Sequence, residues 1–225
     1  MAKIKAAIFD LDGVLINSLP FHYASLKELF SQYGIKYSFD EYIAKDITAG
    51  AMNIIPRVIN EHRKDLDINS VLSKRRIDFR ELLEEKNRMA VSRAIKLYPG
   101  VLSLLKSLKS SGYKIAVASG GTHYFVNHVL RKNKIERYFD AIVTGEDKVR
   151  RKPYPDIFLK TAKKLKTKPK ECLVIEDSRD GVAAAKRAGM KCIGHYNKKY
   201  KQDLSRADEI VSSMSRINVK MIEKF

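Results

Sequence analysis

Residues 6–15 read Ala6-Ala7-Ile8-Phe9-Asp10-Leu11-Asp12-Gly13-Val14-Leu15, an apolar run that closes on two aspartates, one residue apart, and then a glycine. An apolar run ended by turn residues predicts a buried strand, and residues two apart on it point the same way. Asp10 and Asp12 therefore converge on one site. Two carboxylates at one strand end repel each other, so they persist only where a cation neutralises them or one of them holds a proton. Either state is chemically useful. A bound Mg2+ draws in a phosphate, a free Asp10 oxygen attacks phosphorus, and a protonated Asp12 donates to the leaving oxygen. A helix-capping Asp beside a solvated turn Asp is the competing account of the same residues, and the rest of the chain must decide between them.

The 225 residues, 44% hydrophobic and 9% aromatic, suffice for one large domain or for a core with a smaller one inserted. No apolar run approaches the roughly 20 residues that span a bilayer, and the N-terminus lacks an apolar signal core with a small-residue cleavage site. A soluble, cytoplasmic chain with no membrane partner is expected. Cys172 and Cys192 each lie in an apolar, strand-like run without CxxC spacing, which predicts two reduced core thiols. The formal charge is +18, from 44 Lys and Arg against 26 Asp and Glu. Such a surface attracts polyanions. Its basic residues recur in short clusters such as Lys74-Arg75-Arg76, Lys148-Val149-Arg150-Arg151-Lys152 and Lys163-Lys164-Leu165-Lys166, with no long tail and no finger or RNP-type pattern. That spread argues against a dedicated nucleic-acid site and for a solvated basic surface that gathers phosphorylated substrates.

Four further apolar runs follow in the second half: 114–118, 141–144, 172–175 and 191–194, with a short strand also expected at 209–211. Between them lie stretches of helical period, such as Val101-Leu104-Leu105-Leu108, Phe125-Val129-Leu130 and Ile157-Phe158-Thr161-Ala162-Leu165. Strands alternating with helices predict an α/β fold, a Rossmann-like doubly wound parallel sheet. From Leu19 to about Arg93 the pattern is helical throughout: Leu19, Tyr23, Leu26, Leu29, Phe30 and Tyr33, then Ile54, Ile55, Val58 and Ile59, then Ile77, Leu82, Leu83 and Met89. The expected organisation is a core of residues 1–17 and 94–225 with an inserted helical cap, residues 18–93. Ligands of such a sheet bind beyond the carboxyl ends of its strands, the edge from which the linkers leave. The cap would then close over Asp10 and Asp12.

Each later strand end supplies a donor or a metal ligand. Ala118-Ser119-Gly120-Gly121-Thr122 precedes a helix, so the Ser119 hydroxyl, the Gly120 amide and the helix N-terminus make an anion cradle, or else a routine turn and N-cap. In Arg150-Arg151-Lys152-Pro153-Tyr154-Pro155-Asp156 the prolines stiffen a loop that aims Lys152 at a phosphate and at Asp10. The plainer account is a basic loop with Asp156 as an N-terminal helix charge. Glu176-Asp177 directly follows the run at 172–175, and two adjacent carboxylates there suit Mg2+ better than packing. Asp180 is placed to cap the next helix or to orient a metal ligand, the cap being the preferred reading.

Taken together these residues resemble the haloacid dehalogenase superfamily of phosphohydrolases, whose four motifs stand here in order as Asp10-Leu11-Asp12-Gly13, Ser119, Lys152 and Glu176-Asp177. Segments 97–101, 152–158 and 176–181 look like its subgroup with a helical cap after the first strand, which includes phosphoglycolate phosphatases, sugar-phosphate phosphatases and β-phosphoglucomutases. The resemblance implies a nucleophilic Asp10 that forms an aspartyl-phosphate and an Asp12 that acts as general acid and then base. It implies that Ser119, Gly120 and Lys152 bind the phosphoryl group. Mg2+ would be held by Asp10, the Asp12 carbonyl and Asp177, with Glu176 near or in the coordination shell. A small phosphorylated metabolite is the expected substrate.

A sugar phosphomutase is the alternative enzyme, and a polyanion or nucleic-acid binder on the same fold is the alternative of another class. The cap loop in which β-phosphoglucomutases carry a phosphate-binding Arg reads Ala49-Gly50-Ala51-Met52, which favours the phosphatase, with Arg57, Arg75, Arg76 and Arg88 as possible substitutes. His22 stands where many members of both classes have a His near the general acid, and a packed or solvated helix His explains it equally well.

Overall fold

The computed structural model describes residues 3–46, 51–75, 95–198 and 202–225. They form two units, Met1–Asn17 with Lys96–Phe225, and Ser18–Ile95. In the first, six parallel strands, β1 Ala6–Phe9, β2 Lys114–Ala118, β3 Ala141–Val143, β4 Cys172–Glu176, β5 Lys191–His195 and β6 Glu209–Val211, lie in the order β3-β2-β1-β4-β5-β6. The chain winds outward from β1 on one side, then returns to add β4 on the other. That reversal beside β1 is where a doubly wound sheet opens a crevice at its carboxyl edge.

All four residues of β1 are buried, because helices cover both faces of the sheet, and a strand covered on both sides needs a continuous apolar run rather than an alternating one. One core cluster joins Ala6, Ile8, Ala116, Ala118 and Val174 to Ile157, Phe158 and Ala162 of the helix Asp156–Lys164 and to Val182, Ala184 and Ala185 of the helix Arg179–Arg187. Phe9, Phe125 and Phe158 are fully buried; each such side chain contributes about 1.5–3 kcal/mol of transfer free energy. Both cysteines are free and lie in this core. The chain enters and leaves the other unit through paired backbone: Ile16 bridges Leu97, Tyr98 N–H donates to the Leu15 carbonyl at 2.9 Å, and Asn17 N–H to that of Lys96 at 3.2 Å.

The second unit is helical, with helices Leu19–Ser31 and Ala51–His62 and further helical residues at 68–75. The stripe read from the sequence is its core: Leu26, Leu29 and Phe30 pack with Ile54, Ile55, Val58, Ile59 and Val71. Ile77, Leu82, Leu83 and Met89 lie outside the described residues. No helix among the described residues is long and apolar enough to cross a membrane.

Candidate active site

The register of the sheet assembles the site. Phe9 pairs with Val117 on one side and Ile175 on the other, so the chain delivers Asp10, Ser119, and Glu176 with Asp177 to neighbouring strand ends. Asp10 N–H continues the ladder to the Ile175 carbonyl at 3.0 Å. The turn beyond it folds tightly, with Leu15 and Ile16 N–H donating to the Leu11 carbonyl and Gly13 N–H to that of Ile16. Gly13 has φ +76°, a left-handed conformation that L side chains rarely adopt, and a Cβ built there would meet the Asp177 carboxylate oxygen at 2.0 Å. The missing side chain lets the aspartate turn lie against Asp177. Gly13→Ala is expected to lose about 1–3 kcal/mol of stability from backbone strain alone, and to displace Asp177 as well. Denaturant unfolding with an unchanged midpoint would contradict this.

Lys152 reaches the same place from the loop after β3. Its ammonium donates to Asp10 Oδ1 at 2.5 Å and to Glu176 Oε1, and it lies 5.1 Å from the centre of the Phe158 ring. The Lys152–Pro153 peptide is cis. Burial alone would depress the ammonium pKa, but Asp10 and Glu176 outweigh it and raise it. Burial pushes Asp10 up to about 7; Lys152 opposes that rise, while Glu176 and Asp12 add to it. Asp177 is raised well above the usual carboxylate range by burial, then by Glu176 and Asp10. Acidic groups of this density beside a single half-buried ammonium make a place where a further cation is stabilised.

The residues fit Mg2+, which takes oxygen ligands, is commonly held by only one or two carboxylates, and keeps several waters. Asp10 and Asp177 offer two carboxylates, and the absence of a Cβ at Gly13 lets Asp177 lie against the aspartate turn. Glu176 is differently employed. Its Oε2 accepts from Asp177 N–H and Ser178 N–H, each at 2.8 Å, and from the Ser178 hydroxyl at 2.9 Å, while its Oε1 accepts from Lys152. A carboxylate with four protein donors is better placed to hold Lys152 and the 176–178 turn than to ligate a metal. Gly181 makes this packing possible, since a Cβ there would meet Glu176 Oε1 at 1.8 Å. Asp180 does not cap the helix: the N-cap is Ser178, which accepts from Gly181 N–H, because a cap acts on the amides two and three residues ahead.

Ser119 is fully buried, its N–H bonded to the Val143 carbonyl and its Oγ accepting from Gly121 N–H at 3.1 Å. Gly120 is exposed. Thr122 is the N-cap of the helix His123–Lys132. The 119–122 loop is braced by the strand end beside it: Gly145 N–H donates to the Gly121 carbonyl, and Glu146 accepts from His123 N–H at 2.8 Å. Arg150 is exposed, paired through two bonds to Asp156 and lying 4.4 Å from the Tyr154 ring.

Three participants did not emerge from the sequence. His195 donates from Nδ1 to the Gly13 carbonyl at 2.7 Å, Gln202 donates from Nε2 to the Asp177 carbonyl and carboxylate, and Glu146 braces the Ser119 loop. A histidine closing an otherwise apolar strand run was the available signal for His195; nothing local marks Gln202.

Within the Ser18–Ile95 unit, Glu41, Glu61 and His62 bring their ligand atoms within 4.8 Å of one another. Arg57 is bonded to Glu61 at 2.6 Å and to Glu41 at 3.1 Å, and Lys45 to Glu61 at 3.3 Å, so side chains already neutralise this group. Arg75 is buried and bonded to Ser25 Oγ at 2.9 Å; Arg76, Arg88, Ala49 and Gly50 lie outside the described residues. His22 is half-buried, edge-on to Phe21 at 5.7 Å.

Comparison with known proteins places these strand ends in context. The family profile described as haloacid dehalogenase-like hydrolase matches residues 7–195. The phosphorylated carbohydrates phosphatase of Thermotoga maritima is 30% identical over 191 residues, which cover 84% of each chain. The beta-phosphoglucomutase of Bacillus subtilis is 30% identical over 98% of this chain and 95% of its own. Among solved structures, CbbY from Rhodobacter sphaeroides in complex with xylulose-(1,5)bisphosphate superposes with a TM-score of 0.81 at 26% identity, covering 98% of this chain and 99% of that one.

Proposed function

The chain belongs to the haloacid dehalogenase-like hydrolases, and from that premise we propose that it is a Mg2+-dependent phosphatase of small phosphomonoesters, of sugar-phosphate or phosphoglycolate type. The observation that carries this reading is the half-buried Lys152 ammonium between Asp10 and Glu176 at the sheet's switch point. A cation held there is aimed at any dianion that approaches Asp10, and it neutralises charge as it builds on phosphorus.

In this reading an Asp10 oxygen attacks phosphorus in line, the ester P–O bond breaks, and Asp12 gives its proton to the departing oxygen. Water then attacks the aspartyl-phosphate, Asp12 takes a proton from it, and inorganic phosphate leaves with Asp10 restored as carboxylate. The Ser119 hydroxyl and the Gly120 amide hold the equatorial oxygens. Mg2+, when bound by Asp10, Asp177 and the Asp12 carbonyl, supplies the positive charge that makes attack by an anion on a dianion feasible.

The test is phosphate release from a panel including hexose phosphates and 2-phosphoglycolate. Chelation of divalent ions is expected to slow release by on the order of 10²-fold or more, with recovery on adding Mg2+. Release that ignores chelation would sink the metal assignment. Similarity to a beta-phosphoglucomutase keeps a mutase as the second reading. A mutase needs a cap group for a second phosphate, and Arg57 and Arg75 are already engaged within their own unit. Interconversion of hexose 1- and 6-phosphates without net phosphate release would decide for it.

A further inference from the structure

His195 stands at the carboxyl end of β5, one residue beyond the Gly194 that pairs with Glu176. It is 3% exposed. Its Nδ1 lies 2.7 Å from the carbonyl of Gly13, 182 residues away in sequence. A carbonyl oxygen only accepts, so the proton is on Nδ1. Burial holds the imidazole pKa below its ordinary value, the bond to Gly13 opposing this. Tyr98 packs edge-on against the ring, centroids 4.9 Å apart and planes at 77°, fixing its orientation.

Gly13 has no side chain with which to anchor itself. Its place is set by its two backbone groups, the N–H bonded to the Ile16 carbonyl at 2.9 Å and the carbonyl bonded to His195. That place matters because Gly13 abuts the Asp177 carboxylate closely enough to exclude a Cβ. The same Asp177 oxygen is held by Gln202, whose Nε2 lies 3.2 Å from Oδ2. The place of the aspartate turn against Asp177 is thus held, through the Gly13 carbonyl, by a buried imidazole.

We propose that His195 is a positioning residue for the cation site, holding the turn of Asp10 to Gly13 against Asp177 through the Gly13 carbonyl and so setting Mg2+ affinity. This rests on the Mg2+-dependent reading above. Ligands must converge to about 2.1 Å around Mg2+, which demands near-ideal geometry. Without its donor, the half-buried Gly13 carbonyl loses the side-chain bond that fixes it, and the peptide is freer to rotate. Groups of this kind, bonded to the ligand-bearing backbone rather than to the ion, typically change metal affinity 10- to 100-fold when removed.

The experiment is calorimetric titration of Mg2+ into the full chain, comparing wild type, His195→Val and His195→Asn, with the fold of each checked by circular dichroism. His195→Val removes the donor and is expected to raise the Mg2+ Kd about tenfold or more. In His195→Asn the side-chain amide stands near the position of Nδ1 and can donate in its stead, so affinity is expected within about threefold of wild type. His195→Met, which keeps more of the volume and donates nothing, replaces the valine variant should that one not fold. An unchanged Kd in a folded His195→Val or His195→Met chain overturns the proposal. So does an Asn variant as weak as the valine one, or a wild type that binds no Mg2+. Phosphate release is read separately: a chain that shows the expected Mg2+ series and hydrolyses no ester would refute the phosphatase and leave the role of His195 standing.

Discussion

Asp10→Asn is expected to slow phosphate release by about 10⁴-fold or more while leaving the protein folded. The amide keeps the shape of the side chain and an oxygen for Lys152, so the 2.5 Å contact has a successor, but an amide does not form the phosphoryl bond that the carboxylate would. Loss of a nucleophile from a site that acts as a unit removes most of the catalysis at a stroke, leaving what binding and charge stabilisation provide alone. Stability should not fall with activity. Asp10 is pushed up to about 7 by burial and by the neighbouring Glu176 and Asp12, so a neutral group there relieves repulsion. A thermal midpoint at or above that of wild type, with activity absent, is the expected pair of results. Release within tenfold of wild type would remove Asp10 from the role of nucleophile.

Lys152→Met is expected to damage both activity and stability. The ammonium is the only lysine or arginine group in the described ion pairs that bridges Asp10 and Glu176. Its loss should slow release by on the order of 10³-fold, as removal of one preorganised group facing the transition state does. Glu176 is buried at 1% exposure, and taking away the partner of a buried charge costs about 3–5 kcal/mol. Protonation of the neighbouring Asp10 gives the prediction a direction in pH. A carboxyl whose folded pKa lies above its unfolded one holds its proton more tightly in the folded state, so its contribution is present at low pH and lost as pH rises through the folded pKa. Asp10 is such a group even with Lys152 present, and more so without it. The deficit of Lys152→Met should therefore be larger at pH 8 than at pH 5, by denaturant unfolding at each pH. Equal deficits would mean that the carboxylates are not the cause.

The candidate site residues named from the sequence were visible because chemistry sat where packing did not require it. Carboxylates, a serine and a lysine followed apolar runs at strand ends, positions that a parallel sheet brings to one edge whatever its length. The structure gathers Asp10, Lys152, Glu176 and Asp177 there. Glu176 was legible as an acid but not by its task, since its hydrogen bonds come from the turn that follows it. The expected cap at Asp180 failed for a local reason: Ser178 is the residue with extended backbone before the helix, and its hydroxyl already holds Gly181 N–H. His195, Gln202 and Glu146 were not legible as participants, because each acts on backbone that is remote in sequence.

The sequence by itself determined the class of fold and the kind of chemistry. Hydrophobic period distinguishes strand from helix, and a parallel alternation of the two leaves one edge at which acidic, hydroxyl and basic side chains meet. Tertiary structure alone decided which groups hold those side chains in place. Gly13 looks like a turn glycine until the Asp177 carboxylate is seen filling the volume of its missing side chain, and His195 looks like the end of a strand until its imidazole is seen on the Gly13 carbonyl. Such contacts join positions more than 160 residues apart, and no local pattern encodes them, because they depend on the register of β1, β4 and β5 in the folded sheet.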